Sequence, residues 1–182
     1  LRAATLASVI SYGCVGLLIV ALPARVVQLG APRAAAGYLW TALEAGGLVG
    51  VLLLTPRLRR FRPEYVVFGA VAGYGLGLAG MAVAPTLGVA IGVAVVAGVA
   101  EGPCLPSVFV ARQRYSPGAL LAQVATTGVS LKIGAFALGS VLSGALTGPL
   151  GPTAVIMLAA AGQLVAAAAG MLTTSADRSR TP

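Results

Sequence analysis

Apolar residues run along this chain in six long blocks, at about 4–24, 35–55, 65–84, 87–111, 118–146 and 153–173. Each block is near or above the ~20 residues that a helix needs to cross a bilayer core. Between them lie two kinds of connection. "APTLG" (84–88) and "TGPLGP" (147–152) are short, neutral and rich in turn residues. "TPRLRRFRPE" and "ARQRYSPG" are longer and basic. The pattern predicts an all-α membrane protein of six transmembrane helices in one domain, residues 1–174. The polar end "TTSADRSRTP" reads as a tail, disordered and cytoplasmic over 175–182. No stretch is left over for a soluble domain.

Composition agrees with that pattern. Hydrophobic residues make up 58% of the chain and charged ones 9%, against roughly 25% charged in a soluble domain. A net charge of +8 would point to nucleic acid in a soluble protein; here the placement of the arginines assigns it differently. With six spans both termini share a side, and that side receives Arg2, Arg57, Arg59, Arg60, Arg62, Arg112, Arg114, Arg178 and Arg180. The other side holds Arg25 and Arg33. Arginine marks the cytoplasmic face of membrane proteins, so the chain is expected in the plasma membrane of a bacterium, both termini inside. Its basic loop, Arg57, Arg59, Arg60 and Arg62, would meet anionic lipid there, and the bilayer rather than nucleic acid is the expected partner. The first block is too long for the h-region of a signal peptide. Cys14 and Cys104 fall in different spans and read as small packing residues. Histidine is missing from the composition, which removes histidine-based catalysis, haem ligation and histidine metal sites. No enzyme, cofactor or metal is expected.

Three ionisable residues fall at depth: Glu44 in the second span, Glu101 in the fourth and Lys132 in the fifth. A charge at the centre of a membrane helix costs roughly 2.5–3.5 kcal/mol on insertion scales, so it usually faces a partner, a cavity or a pathway. Spans 3 and 6 carry none between their ends and are expected to be peripheral. In span 2, Tyr38, Thr41 and Glu44 form one stripe, with Trp40 beside it and Ala42, Gly46 and Gly50 opposite. In span 5, Gln123, Thr127, Ser130 and Gly134 share one face and Gly128, Lys132, Gly139 and Ser143 the other. The first of these faces is expected to line a cavity and the second to meet a neighbouring helix. Glu101 has two readings, a structural ion pair with Lys132 or a substrate or proton role. Tyr12, Ser8 and Ser11 in span 1 are weaker polar candidates.

Beside Glu101 stand Pro103 and Pro106, in "VAEGPCLPSV". Neither can donate to the carbonyl four residues back, so span 4 should kink there. Gly69, Gly73 and Gly77, Gly46 and Gly50, and Gly98 and Gly102 repeat at four-residue spacing. Small residues so spaced let membrane helices approach closely.

The stretches "GYLWTALEAGGLVGVLLLTPRLRRFRPEYVV" and "AGVAEGPCLPSVFVARQRYSPGALLAQVATTGVSLKIGAFALGSVLSGAL" resemble one half of a major facilitator superfamily transporter. The first is similar to the family's loop motif, with Leu58 matching, Pro56 in place of a glycine and Arg60 in place of its aspartate. That departure puts the motif's gating role in doubt. The second is similar to the family's tenth helix, loop and eleventh helix. The lack of an initiator methionine, the degraded motif and the polar tail favour the C-terminal half. The resemblance implies a half bundle built as a 3+3 inverted repeat, with spans 1, 2, 4 and 5 around a cavity. It further implies proton-coupled efflux, an antiporter working against an N-terminal six-helix half or a second copy, with a small molecule and H+ as ligands.

On that expectation the substrate and proton pathway is formed by Glu101, Lys132, Glu44, Tyr38, Thr41, Gln123, Thr127 and Tyr12. A mostly apolar cavity with few charges suits amphiphilic or cationic molecules better than sugars or phosphates. The alternative of another class is a six-helix module without transport, a scaffold or a remnant half-gene.

Overall fold

The computed structural model describes residues 2–178, and side chains over 3–174. Helix dominates, and no strand occurs among the described residues. The chain runs up and down through α1 (Arg2–Gly16), α2 (Leu18–Gln28), α3 (Ala36–Leu53), α4 (Thr55–Leu58), α5 (Pro63–Val83), α6 (Leu87–Glu101), α7 (Cys104–Tyr115), α8 (Leu121–Leu150) and α9 (Pro152–Arg178). Five helical segments are long and apolar enough to cross a membrane, and six if the bent pair α1–α2 counts as one. Side chains such as Leu48, Leu52, Leu138, Val141 and Leu172 stand more than half exposed, a surface matched to lipid rather than water.

Three boundaries differ from expectation. Helix α9 continues through Arg178, so 175–178 are helical where a tail was expected; 179–182, with Arg180, lie outside the described residues. Helix α8 runs on through Pro149, and the turn into α9 is the single residue Gly151 at φ +79°. That left-handed conformation is open to glycine at little cost. Helix α7 extends to Tyr115, absorbing most of the loop expected at 111–117.

Span 4 is interrupted where the prolines stand. The ladder stops between Glu101 and Cys104, yet Leu87–Tyr115 still passes as one membrane-length helix. Span 1 is broken more sharply, by 43° between α1 and α2, and its own sequence does not announce the place. The cause is Ser143 on α8. Its hydroxyl donates to the Leu17 carbonyl at 2.5 Å and accepts the Val20 N–H at 3.3 Å. A side chain inserted into the helical ladder is a recognised source of a bend, and Pro23 further thins the ladder of α2.

Two crossings bring backbones together. Helices α3 and α6 meet through Gly46, Gly50, Gly98 and Gly102: a Cβ on Gly46 would fall on the Val95 carbonyl, and one on Gly98 on the Leu43 carbonyl. Helices α1 and α8 meet through Gly16 and Gly139, which approach the backbones of Phe136 and Gly13. Of the glycine series in span 3, Gly73 and Gly77 face Ala100 and Ala97, whereas Gly69 faces open space. The core collects around Leu18, Leu22, Leu39, Leu78, Met81 and Ile156, with a second cluster about Phe68 and Val67 towards the arginine-rich end.

Candidate functional site

A cavity of about 400 Å³ opens where the broken spans meet α3, α5 and α8. The α3–α6 crossing holds Glu44 and Glu101 on adjoining helices, and both carboxylates line the cavity. Glu44 is exposed at its mouth, and Glu101 is more enclosed, at the last turn of α6 just before the proline break. Much of the remaining lining is aromatic. Tyr12 comes from α1, Trp40 from α3, Tyr74 from α5 and Phe136 from α8. Aliphatic side chains, among them Val15, Ile19 and Leu43, fill the rest.

Lys132 is buried, as its side of α8 was expected to be, but its partner differs from the expected one. No ion pair joins it to Glu101 among the described residues. Its ammonium lies over the ring of Tyr12, 4.6 Å from the centroid, in the arrangement in which a cation is held by an aromatic face. The geometric reason is a division of labour on α8. Lys132 follows the buried line of Gly128, Gly139 and Ser143, of which Gly139 and Ser143 meet the first span, so the lysine meets a ring of α1. Glu101 is left with neither a hydrogen bond nor an ion pair among the described residues, its carboxylate in the cavity.

The remaining sequence candidates separate. Tyr38, 65% exposed, and Thr41 lie on the outer face of α3 and do not line this cavity. Gln123 and Thr127 line a shallow groove on the outer surface of α8, beside Thr5. Thr127 also reaches a second, almost wholly apolar groove with Ser130 and Gly134. This face of span 5 thus lines grooves of its own and does not reach the cavity that holds the carboxylates. The glycine crossing fixes the rotation of α8 with Lys132 inward, which leaves this face along the edge of α1, beside Thr5 and Val9.

Sequence reasoning missed four polar residues. Tyr74 was passed over because span 3 carries no charge between its ends; its only signal was one hydroxylated ring in the glycine-rich "AGYGLG". Gln163 of α9 is wholly buried, and its amide donates to the Ser11 carbonyl at 3.1 Å. Arg112, assigned to a basic loop, is 2% exposed. Its guanidinium packs against Gly128 and lies over the Phe109 ring, with one 3.4 Å bond to the Ala125 carbonyl, while Nε and Nη2 have no hydrogen-bond partner. Glu64, at the start of α5, is buried and accepts the Tyr115 hydroxyl at 3.1 Å. The loop arginines Arg57, Arg59, Arg60 and Arg62 stay exposed, and Arg57 caps the Leu53 carbonyl. Cys14 and Cys104 are free and buried.

Chemically, the cavity offers two carboxyl groups, the hydroxyls of Tyr12 and Tyr74, the indole N–H of Trp40 and their aromatic faces. No family model matches this chain and no curated protein matches it, so the functional reading rests on this geometry.

Proposed function

We propose that this chain is one six-helix half of a secondary transporter of the major facilitator type, exporting a small molecule against protons by alternating access with a second half. The observation that carries the reading is Glu101, an unpaired carboxylate at a helix break, facing a cavity between membrane-length helices. Transporters place binding groups at interrupted helices near the midplane, and an ionisable group at depth is kept where it has work to do.

The packing supports an inverted repeat. Spans 1 and 5 cross on glycines, as do spans 2 and 4, and spans 1 and 4 are the two with a mid-length break. Exchanging the first three spans with the last three converts each of these features into the other. The arginine asymmetry supports an orientation with the 57–62 and 112–114 ends in the cytoplasm of a plasma membrane.

In this reading Glu101 carries the proton or the substrate in turn, Glu44 guards the mouth, and Lys132 braces Tyr12. The test is transport by the two halves assembled in proteoliposomes, with a pH gradient and a panel of labelled neutral, cationic and anionic small molecules. Glu101→Gln should abolish gradient-driven accumulation while leaving downhill exchange. Unchanged accumulation in that variant would remove Glu101 from coupling, and no flux with any probe would favour the non-transporting module.

A further inference from the structure

We propose that the arginine-rich end of this chain holds one anionic phospholipid, its phosphate in a basic hollow between α4, α5 and α7 and one acyl chain in the apolar groove that continues from it along α5. The site shares no lining residue with the carboxylate cavity, and it stands whether or not the chain transports.

The head end is cationic. A hollow of about 180 Å³ takes Arg59 from the turn after α4, Arg114 from the last turn of α7, and the hydroxylated side chains Thr55 and Ser107. No acidic side chain lines it. Glu64, beside Pro63, accepts the Tyr115 hydroxyl instead. Arg57 is occupied with the Leu53 carbonyl, whereas Arg59 has neither a hydrogen bond nor an ion pair among the described residues. The Arg60 guanidinium lies 5.1 Å from the centroid of the Phe61 ring, which lines the same hollow, and adds positive charge at its rim. The Thr55 hydroxyl is buried without a hydrogen-bond partner, which is uncommon for such a group. A phosphate supplies what these groups lack, negative charge and several acceptor oxygens, and the guanidinium fork suits it.

The tail end is apolar and joins the first. A groove of about 380 Å³ shares Leu58, Phe61 and Val66 with the basic hollow. It follows roughly 10 Å of α5, from the level of Pro63 to Ala70, and its far wall is Ala100 and Pro103 of span 4. Gly69 keeps it open, since a Cβ there would meet nothing within 4 Å. Charge and shape together select the occupant. A free phosphate would fill the hollow and leave the groove empty. A zwitterionic lipid would bring an ammonium that finds no carboxylate. Basic pockets between membrane helices at the cytoplasmic face hold anionic headgroups, and the arginine bias assigns this end to that face in the proposed orientation.

The 182-residue protein in dodecylmaltoside micelles is titrated with dioleoylphosphatidylglycerol, with dioleoylphosphatidylcholine and with sn-glycerol 3-phosphate. Native mass spectrometry counts what each chain retains. One phosphatidylglycerol per chain, bound saturably and about tenfold or more tighter than phosphatidylcholine, is the expected result, with no retention of glycerol phosphate. Each arginine beside an anionic headgroup contributes about fivefold, so the double variant Arg59→Gln, Arg114→Gln should weaken phosphatidylglycerol by more than about tenfold. Both side chains are exposed, and a thermal melt by circular dichroism checks that the variant is folded. Arg33→Gln, at the other end of the bundle, should change nothing. Gly69→Leu fills the groove without touching the arginines and should weaken phosphatidylglycerol severalfold.

Equal retention of the two lipids overturns the proposal, and so does a phosphatidylglycerol preference that the double variant keeps or that Arg33→Gln lowers as much. Glycerol phosphate retained as tightly as the lipid would make this a site for a soluble anion. Full binding to Gly69→Leu would remove the acyl groove and with it the two-part site.

Discussion

Ser143→Ala tests the origin of the bend in span 1. The substitution removes one hydroxyl from α8 and leaves two groups of another helix, the Leu17 carbonyl and the Val20 N–H, without the partner that bridges them. Hydrogen bonds between membrane helices average ~0.6 kcal/mol in mutant cycles and reach ~1.7. Two such bonds therefore bracket the loss between about 1 and 3 kcal/mol. Ser140→Ala is the matched control. Its hydroxyl bonds the Phe136 carbonyl one turn back on its own helix, a local bond that contributes little, so its removal should cost less than ~0.5 kcal/mol. Equilibrium unfolding in mixed lipid–detergent micelles, followed by circular dichroism over an SDS titration, gives both values. Hydrogen exchange at the Val20 amide adds a local readout, since that N–H should become the fastest to exchange in its turn. A Ser143→Ala loss no greater than that of Ser140→Ala would refute the reasoning, and the break would then be intrinsic to 16–23.

Further outcomes follow from the same contacts. Gly98→Ala places a methyl on the Leu43 carbonyl and should cost about 1–3 kcal/mol through overpacking. Gly69→Ala, with open space around it, should be neutral or stabilise by up to ~1 kcal/mol; micelle unfolding separates the pair. Arg112→Met should leave stability unchanged or raise it, because it replaces a buried guanidinium with two unsatisfied nitrogens by an apolar chain. A loss above ~2 kcal/mol in thermal unfolding would show that the guanidinium is satisfied in the membrane. Tyr115→Phe removes the hydroxyl held by buried Glu64 and should cost about 1–2 kcal/mol, read as a lowered unfolding midpoint.

How far the sequence could be read depended on where the cause of each feature lay. The six spans and the break beside Glu101 were legible because apolar runs and prolines act on their own helix. The glycine pairs at 46 and 50 and at 98 and 102 announced close packing, but their being each other's partners is a matter of topology. The bend of span 1 was not legible, because its cause sits 126 residues away. Lys132 was matched to Glu101 on charge alone; the rotation of α8, set by Gly139 against Gly13, turned it to Tyr12 instead. Arg112 reads as a loop residue in any hydropathy count, and its burial comes from the space that Gly128 leaves open. Tyr74 carried no charge to draw notice, and its place in the cavity wall comes from the packing of α5.

The glycine crossings also decide where this molecule can and cannot yield. At α3–α6 and α1–α8, backbone lies on backbone with no side chain between, so no rotamer change can absorb a displacement. A joint of that kind has no play. Neither crossing can slide by less than a full turn without collision, and both resist being sheared apart piece by piece. Any rocking the protein performs must therefore hinge outside these two seams, with α3 and α6 carried as one unit and α1 and α8 as another, and the backbones that bear Glu44 and Glu101 fixed relative to each other throughout.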